Sequence, residues 1–282
     1  MYKKIFILLF LAHIIGDFYF QSKKMAEQKE KSVYKVLLHS IFYAMAFFVV
    51  ILPVINKWLV IAATFISLSH LIIDVFKWVI VKRVSKVNED KNSLVYVIDQ
   101  IIHLIFIFIA SIFVAIKCDS LNVFSGINYI FNIVGVNKQH ALSSLLLVLL
   151  VWKPANITIK KIISAYKPVD DFENKAVINA GGIIGLLERI AILLFLSINQ
   201  YSAIGLVLTA KSIARYNKIS ENKEFAEYYL IGTLLSTVIA VFSYFVIICE
   251  YSGVAEPPVR FIVSHPSGLA EPVFRKGGQQ FQ

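Results

Sequence analysis

Apolar runs of about 20 residues recur along the whole chain, and this feature limits the fold more than any other. A helix of that length crosses the hydrocarbon core of a bilayer. The composition agrees, because 58% of the 282 residues are hydrophobic and 16% are charged, whereas soluble domains are about half apolar and about a quarter charged. The sequence predicts an all-α, polytopic integral membrane bundle of about eight transmembrane helices. They lie at roughly 2–22, 34–55, 57–81, 93–117, 139–153, 179–198, 200–217 and 225–250.

The long Lys-rich loop at 153–175 divides these helices into two groups. Residues 1–118 are predicted to form a four-helix, His/Asp-rich membrane domain. Residues 119–178 would hold an interfacial segment, a short helix and a cytoplasmic loop, and 179–250 a three-helix membrane domain. From 251 to 282 the chain turns to Gly, Pro and polar residues, and "SGVAEPPVR" is echoed by "SGLAEPVFR". We expect a flexible tail there, either native or added to the natural chain.

The basic residues predict the orientation in the membrane. Cytoplasmic loops carry an excess of Lys and Arg, so the four basic loops are expected in the cytoplasm and both termini outside. The net charge of +10 follows this topology and does not indicate nucleic-acid binding. The loops at 23–35, 82–91, 153–175 and 215–223 hold 5, 4, 5 and 3 Lys plus Arg.

Four of the six histidines and three aspartates lie inside apolar segments. A charged group near a helix centre costs roughly 2.5–3.5 kcal/mol on insertion scales, so some interaction must offset this. In alternating helices the aspartates all lie nearer the cytoplasm and most of the histidines about one turn deeper, within a slab roughly 10 Å thick. The members are His13 and Asp17 in "HIIGD", His39 in "LLHS", His70 and Asp74 in "HLIID", and Asp99 and His103 in "DQIIH".

Imidazole nitrogen with carboxylate oxygen is a ligand set of zinc, manganese and iron. Side chains four residues apart meet on one helix face, so each His/Asp pair can act as a unit. These seven residues are predicted to hold one divalent ion, or two with a bridging carboxylate. Asp99 or Asp17, whichever is less engaged, would act as a general base. The alternative is a hydrogen-bonded network that only joins the helices.

Four other polar residues are candidates for substrate binding. Lys77 could bind an anionic group or extend to the membrane surface. Gln21, at the cytoplasmic rim, could orient a ligand or meet water. Lys211 and Arg215, four residues apart in the second half of the chain, could bind a lipid phosphate. Ion pairing of Glu188 with Lys211, or of Arg189 with Glu227, is the alternative for that half. The candidates are Lys77, Gln21, Lys211 and Arg215.

The strings "HIIGDFYFQ", "LLHS", "HLIIDVFK" and "DQIIH" resemble, in order and spacing, a bacterial membrane family catalogued as domain of unknown function 3307. The resemblance covers about residues 5–115, and later strings such as "GGIIGLLERIAI" look like the extension that often follows this domain. The first helix is also similar to that of membrane-bound, metal-dependent hydrolases. This resemblance implies a multi-pass protein of the bacterial inner membrane.

Together these features predict a metal-dependent hydrolase whose His/Asp site opens to the cytoplasmic leaflet and acts on a lipid or phosphorylated substrate. Its partners would be a divalent metal and membrane lipid. A transporter of metal ions or protons, with the same cluster as its site, is one alternative. A non-catalytic assembly or regulatory protein with a polar packing core is the other.

Overall fold

A computed structural model describes residues 1–29, 32–83, 89–166 and 180–248. Within these ranges every regular element is a helix, so the all-α prediction is confirmed. The predicted tail at 251–282 lies outside the described residues. The elements are α1 (Tyr2–Ile14), a π-helix (Ile15–Tyr19), α2 (Lys23–Lys29), α3 (Val33–Ile51), a 3₁₀-helix (Leu52–Val54), α4 (Lys57–Arg83), α5 (Glu89–Lys117), α6 (Ser125–Val134), α7 (Lys138–Ile163), a 3₁₀-helix (Ser164–Tyr166), α8 (Ala180–Ser197), α9 (Tyr201–Ile213), α10 (Tyr216–Glu221) and α11 (Lys223–Ile247).

Five segments of the described chain are long and apolar enough to cross a membrane. The bent pair Tyr2–Tyr19 and Lys23–Lys29, which turns by 85°, would add a sixth. The structure thus supports five or six of the roughly eight predicted spans by length and composition. One reason for the difference is that α9 is apolar but only 13 residues long. The five segments are Val33–Val54, Lys57–Ile80, Ser93–Lys117, Lys138–Ile163 and Lys223–Ile247.

α7 continues through Pro154, where the sequence predicts a loop. Proline in a helix interior leaves a carbonyl group without its donor, but membrane helices tolerate this when neighbouring side chains bond the freed carbonyls. The carbonyl freed by Pro154 is that of Leu150, four residues earlier. Side chains bond the carbonyls on either side of it: Tyr19 Oη donates to the Leu149 carbonyl at 2.8 Å, and Arg189 Nε to the Val151 carbonyl at 2.6 Å. The predicted boundary was wrong, and these contacts around Pro154 come from distant helices that no local pattern indicates. Residues 167–179 of the predicted loop lie outside the described ranges.

Two buried apolar clusters meet at α1. One side of α1, with Ile5 and Leu9, packs against α3 and α5 in a cluster that α4 also joins. The other side, with Ile7 and Leu11, packs against α7 in a cluster that α8 and α11 also join. Because apolar side chains gain little by leaving lipid for protein, close packing and polar contacts must hold such helices together. α1 therefore lies at the centre of the bundle, and its C-terminal end carries the polar residues into the site.

Candidate metal centre

The seven predicted ligands converge where α1, its π-helical continuation, α3, α4 and α5 meet. The helices that carry them pack against one another, so the side chains reach one region from four directions. Six of the seven are buried, and the Asp17 side chain is 10% exposed. The buried members are His13, His39, His70, Asp74, Asp99 and His103.

The imidazole nitrogens lie beside carboxylate oxygens at distances that suit a metal better than hydrogen bonds. His39 Nε2 is 3.3 Å from Asp17 Oδ1 and 3.7 Å from Asp74 Oδ2. His70 Nε2 is 3.6 Å from Asp17 Oδ1, and His70 Nδ1 is 3.5 Å from Asp74 Oδ2. An N–H···O hydrogen bond spans about 2.7–3.2 Å. Ligands about 2.0–2.1 Å from a tetrahedral ion lie about 3.3–3.4 Å apart.

The ring nitrogens of His39 and His70 are buried and form no hydrogen bond within the described part of the chain. Leaving such a group unsatisfied costs about 1–3 kcal/mol. A divalent ion would engage one nitrogen of each ring, because metals bind the unprotonated nitrogen of a neutral imidazole. The unsatisfied nitrogens and their spacing both fit a metal site.

Two triads of possible ligands share one histidine. Asp17, His39 and His70 form the first, and His70, Asp74 and His103 the second; in each, the candidate ligand atoms lie within 4.8 Å of one another. The Nε2 of His70 faces Asp17 while its Nδ1 faces Asp74. One ion would use one nitrogen of His70, and two ions that share His70 would need it as a bridging imidazolate, because a neutral imidazole offers only one lone pair.

His13 lies beside the triads rather than in them. The α-helical spacing predicts that it shares a face with Asp17, but the chain changes to a π-helix after Ile14. This widened turn alters the register of the two side chains, because its hydrogen bonds join residues five apart. His13 Nδ1 instead lies 3.0 Å from the Tyr43 hydroxyl, and its ring centroid is 5.7 Å from that of His103.

Three neighbours of the cluster were absent from the sequence prediction. Gln100 Nε2 donates to Asp17 Oδ2 at 2.9 Å. The Tyr43 ring stacks on His70, with 3.6 Å between ring centroids. Lys29 of α2 forms an ion pair with Asp74. Tyr43, four residues after His39, could have been found from its spacing. The position of Lys29 depends on the bend after α1, which no local pattern indicated.

The charge of the cluster favours a cation. Asp17, Asp74 and Asp99 contribute three negative charges, and the ammonium groups of Lys29 and Lys77 contribute two positive ones, which leaves one negative charge in excess. Lys77 donates to Asp99 Oδ2 at 2.7 Å. A buried excess charge is costly unless it is paired or coordinates a metal.

The predicted substrate-binding residues of the second half have other contacts. Lys211 donates to Glu188 at 2.6 Å, which is the ion pair considered as its alternative. Arg189 does not pair with Glu227 as considered, since it bonds the neutral acceptors Val151, Asn156 and Ser236. The remaining candidates lie at the surface or close to it: Arg215 is exposed and Gln21 is half-buried.

The fold and the cluster define a class: a helical protein with several helices able to cross a membrane and a buried His/Asp site at their junction. Residues 5–131 match the family described as protein of unknown function DUF3307, which confirms the predicted resemblance for this part of the chain. All seven cluster residues fall inside the matched region. Comparison with curated proteins and with solved structures gave no match.

Proposed function

We propose that this chain is an integral membrane, metal-dependent hydrolase acting on a lipid or phosphorylated substrate. The observation that supports it most is the pair of triads, in which the nitrogens of His39 and His70 lie 3.3–3.7 Å from carboxylate oxygens without hydrogen bonds among the described residues. The ligand types suit zinc, manganese or iron. The resemblance of the first helix to membrane-bound, metal-dependent hydrolases, which is inferred from its sequence alone, agrees with this proposal.

The residues divide into ligands and a base. When bound, a divalent ion acidifies water and polarises a phosphoryl or acyl oxygen. The two triads would hold it, which leaves Asp99 as the general base in preference to Asp17. Asp99 Oδ1 is buried and has no hydrogen-bond partner in the described ranges, while its other oxygen accepts a hydrogen bond from Lys77. Lys77 would thus fix the carboxylate so that Oδ1 can take a proton from the attacking water.

The proposed location is the bacterial inner membrane, with both termini outside. The support is the excess of Lys and Arg in the four basic loops, which the positive-inside rule assigns to the cytoplasm. In this orientation the aspartates lie toward the cytoplasmic leaflet. Lys29 and Lys77, both of which reach the cluster, would then meet an anionic headgroup entering from that side.

The test is hydrolysis by metal-loaded protein in nanodiscs that contain phospholipids and phosphorylated lipids, with released phosphate and fatty acid measured. We expect turnover in the wild type and a large loss in Asp99→Asn, with metal content retained. The matched control is Asp119→Asn at an exposed acid, which should leave turnover unchanged. Equal turnover in both variants would refute the role of Asp99, and no turnover in the wild type would refute hydrolysis.

The second candidate is transport of a metal ion or protons through the same cluster. The observation in its favour is the broken first segment, which bends by 85° between the π-helix that holds Asp17 and α2. Discontinuous helices commonly form the ion sites of transporters. Metal-dependent flux in liposomes without hydrolysis would favour this candidate. If the wild type binds no metal, the cluster is a packing network of a non-catalytic protein.

A further inference from the structure

A cleft of about 220 Å³ lies next to the metal cluster, between α1, α5 and α7. Apolar side chains from these helices and from the π-helix after α1 form most of its wall, including Phe10, Phe18, Leu104 and Leu150. The cleft reaches the protein surface, because the lining residues Ile101 and Leu104 are 51% and 39% exposed. Both residues lie within the candidate span Ser93–Lys117, so this opening would face lipid.

One part of the wall is polar, and it is shared with the metal cluster. His13 and Gln100 both line the cleft. Gln100 bonds Asp17 of the first triad, and the His13 ring is 5.7 Å from the His103 ring of the second. The other polar pair, Tyr96 and Thr158, is internally hydrogen bonded at 2.8 Å. A molecule in the cleft would therefore have hydrocarbon surroundings along most of its length and the cluster beside one end.

The change from apolar to polar lining along the cleft fits an amphiphilic ligand. A small soluble ligand would leave most of the apolar wall uncovered, and a pure hydrocarbon would place apolar atoms against the polar end formed by His13 and Gln100. A bound divalent ion would change the net charge of the cluster from minus one to plus one, which favours an anionic group there. The opening toward lipid gives such a molecule a direct path from the bilayer.

We propose that this cleft binds the hydrocarbon chain of a phosphate-bearing lipid whose headgroup lies at the His/Asp cluster. The placement of the headgroup rests on the proposed metal function, whereas occupation of the cleft by the chain can be measured separately. Two kinds of lipid have a phosphate headgroup on a hydrocarbon chain: phosphatidic acid, with acyl chains, and an isoprenoid phosphate. The experiment uses one probe for each of these two lipids.

The test is photo-crosslinking in phosphatidylcholine nanodiscs, with diazirine groups placed in the acyl chain of phosphatidic acid or in the chain of an isoprenoid phosphate. We expect one of the two probes to label peptides of the cleft wall in the wild type. Leu104→Trp should fill the cleft and reduce this labelling roughly tenfold, as expected for overfilling a packed site. Ile101→Trp provides a second variant of the same kind.

The matched control is Ile105→Trp, one residue further along α5 at a position that is 50% exposed and does not line the cleft. It should leave labelling unchanged. Equal labelling in the cleft and control variants, or labelling spread evenly over the helices, would overturn the proposal. Metal content is measured on the same samples. Bound metal without cleft labelling refutes only the lipid cleft, and cleft labelling without metal refutes the metal function and the headgroup placement.

Discussion

Gly16 provides a stringent test of the packing that supports the cluster. It lies in the π-helix after α1, against the ring and backbone of Tyr43 on α3. A Cβ added at this position would lie 2.8 Å from Tyr43 Cδ2 and 3.2 Å from Tyr43 Cα. The second atom belongs to the backbone, so a change of rotamer cannot relieve the contact. Gly16→Ala must move α3 or the π-helix.

The expected loss of stability is modest, but the substitution lies beside the metal cluster and should also weaken metal binding. Overpacking of this kind costs about 1–3 kcal/mol, and the helical preference of Ala over Gly returns about 0.5–1 kcal/mol. We expect a net loss of up to about 2.5 kcal/mol in the free energy of unfolding. Tyr43 stacks on His70 and bonds His13, so its displacement should also lower metal affinity about 10–100-fold, as is usual for supporting residues.

The assay is denaturant unfolding in detergent combined with titration of zinc or manganese into the metal-free protein. The control is Gly205→Ala in α9, where an added Cβ would have no neighbour within 4 Å in the described structure. This variant should be neutral or more stable by up to about 1 kcal/mol, with unchanged metal affinity. If the two variants have the same stability and the same metal affinity, the packing of Gly16 against Tyr43 is not what positions His70.

Three further changes test separate contacts. Lys29→Ala removes the ammonium group that pairs with Asp74, so titration should show metal affinity roughly tenfold tighter; weaker affinity would mean that Lys29 supports the site. Tyr43→Phe removes a hydroxyl hydrogen bond worth about 0.5–1.5 kcal/mol, and unfolding should show that loss with up to about tenfold weaker metal binding; unchanged stability and affinity would contradict this role. A double-mutant cycle of Glu188→Gln and Lys211→Met should give about 0.5–3 kcal/mol of coupling, and additivity would rule out the observed pair as a stabilising contact.

The membership of the cluster could be predicted because it depends on simple regularities. Apolar length indicates the helices, and the spacing of four residues places His70 with Asp74 and Asp99 with His103 on shared faces. Both pairs are in contact, at 3.5 Å and 3.6 Å. The reversed order of the second pair matches the reversed direction of α5, so both aspartates are predicted at similar depth.

The remaining features depend on contacts between distant parts of the chain. The π-helix at Ile15–Tyr19 changes the register between His13 and Asp17, and the bend that follows it brings Lys29 to the cluster. α7 passes Pro154, and side chains of other helices bond the carbonyls on either side of the one that the proline frees. In each case local spacing predicts the ordinary α-helical or loop structure, and tertiary packing produces a different one.

Metal content is the most direct test of the buried His/Asp site. The protein is purified without chelator and analysed by inductively coupled plasma mass spectrometry, as wild type and as His70→Ala. Because His70 belongs to both triads, we expect stoichiometric zinc, manganese or iron in the wild type and its loss in the variant. Wild-type protein without stoichiometric metal, or a His70→Ala variant that retains all of it, would contradict the proposed metal centre.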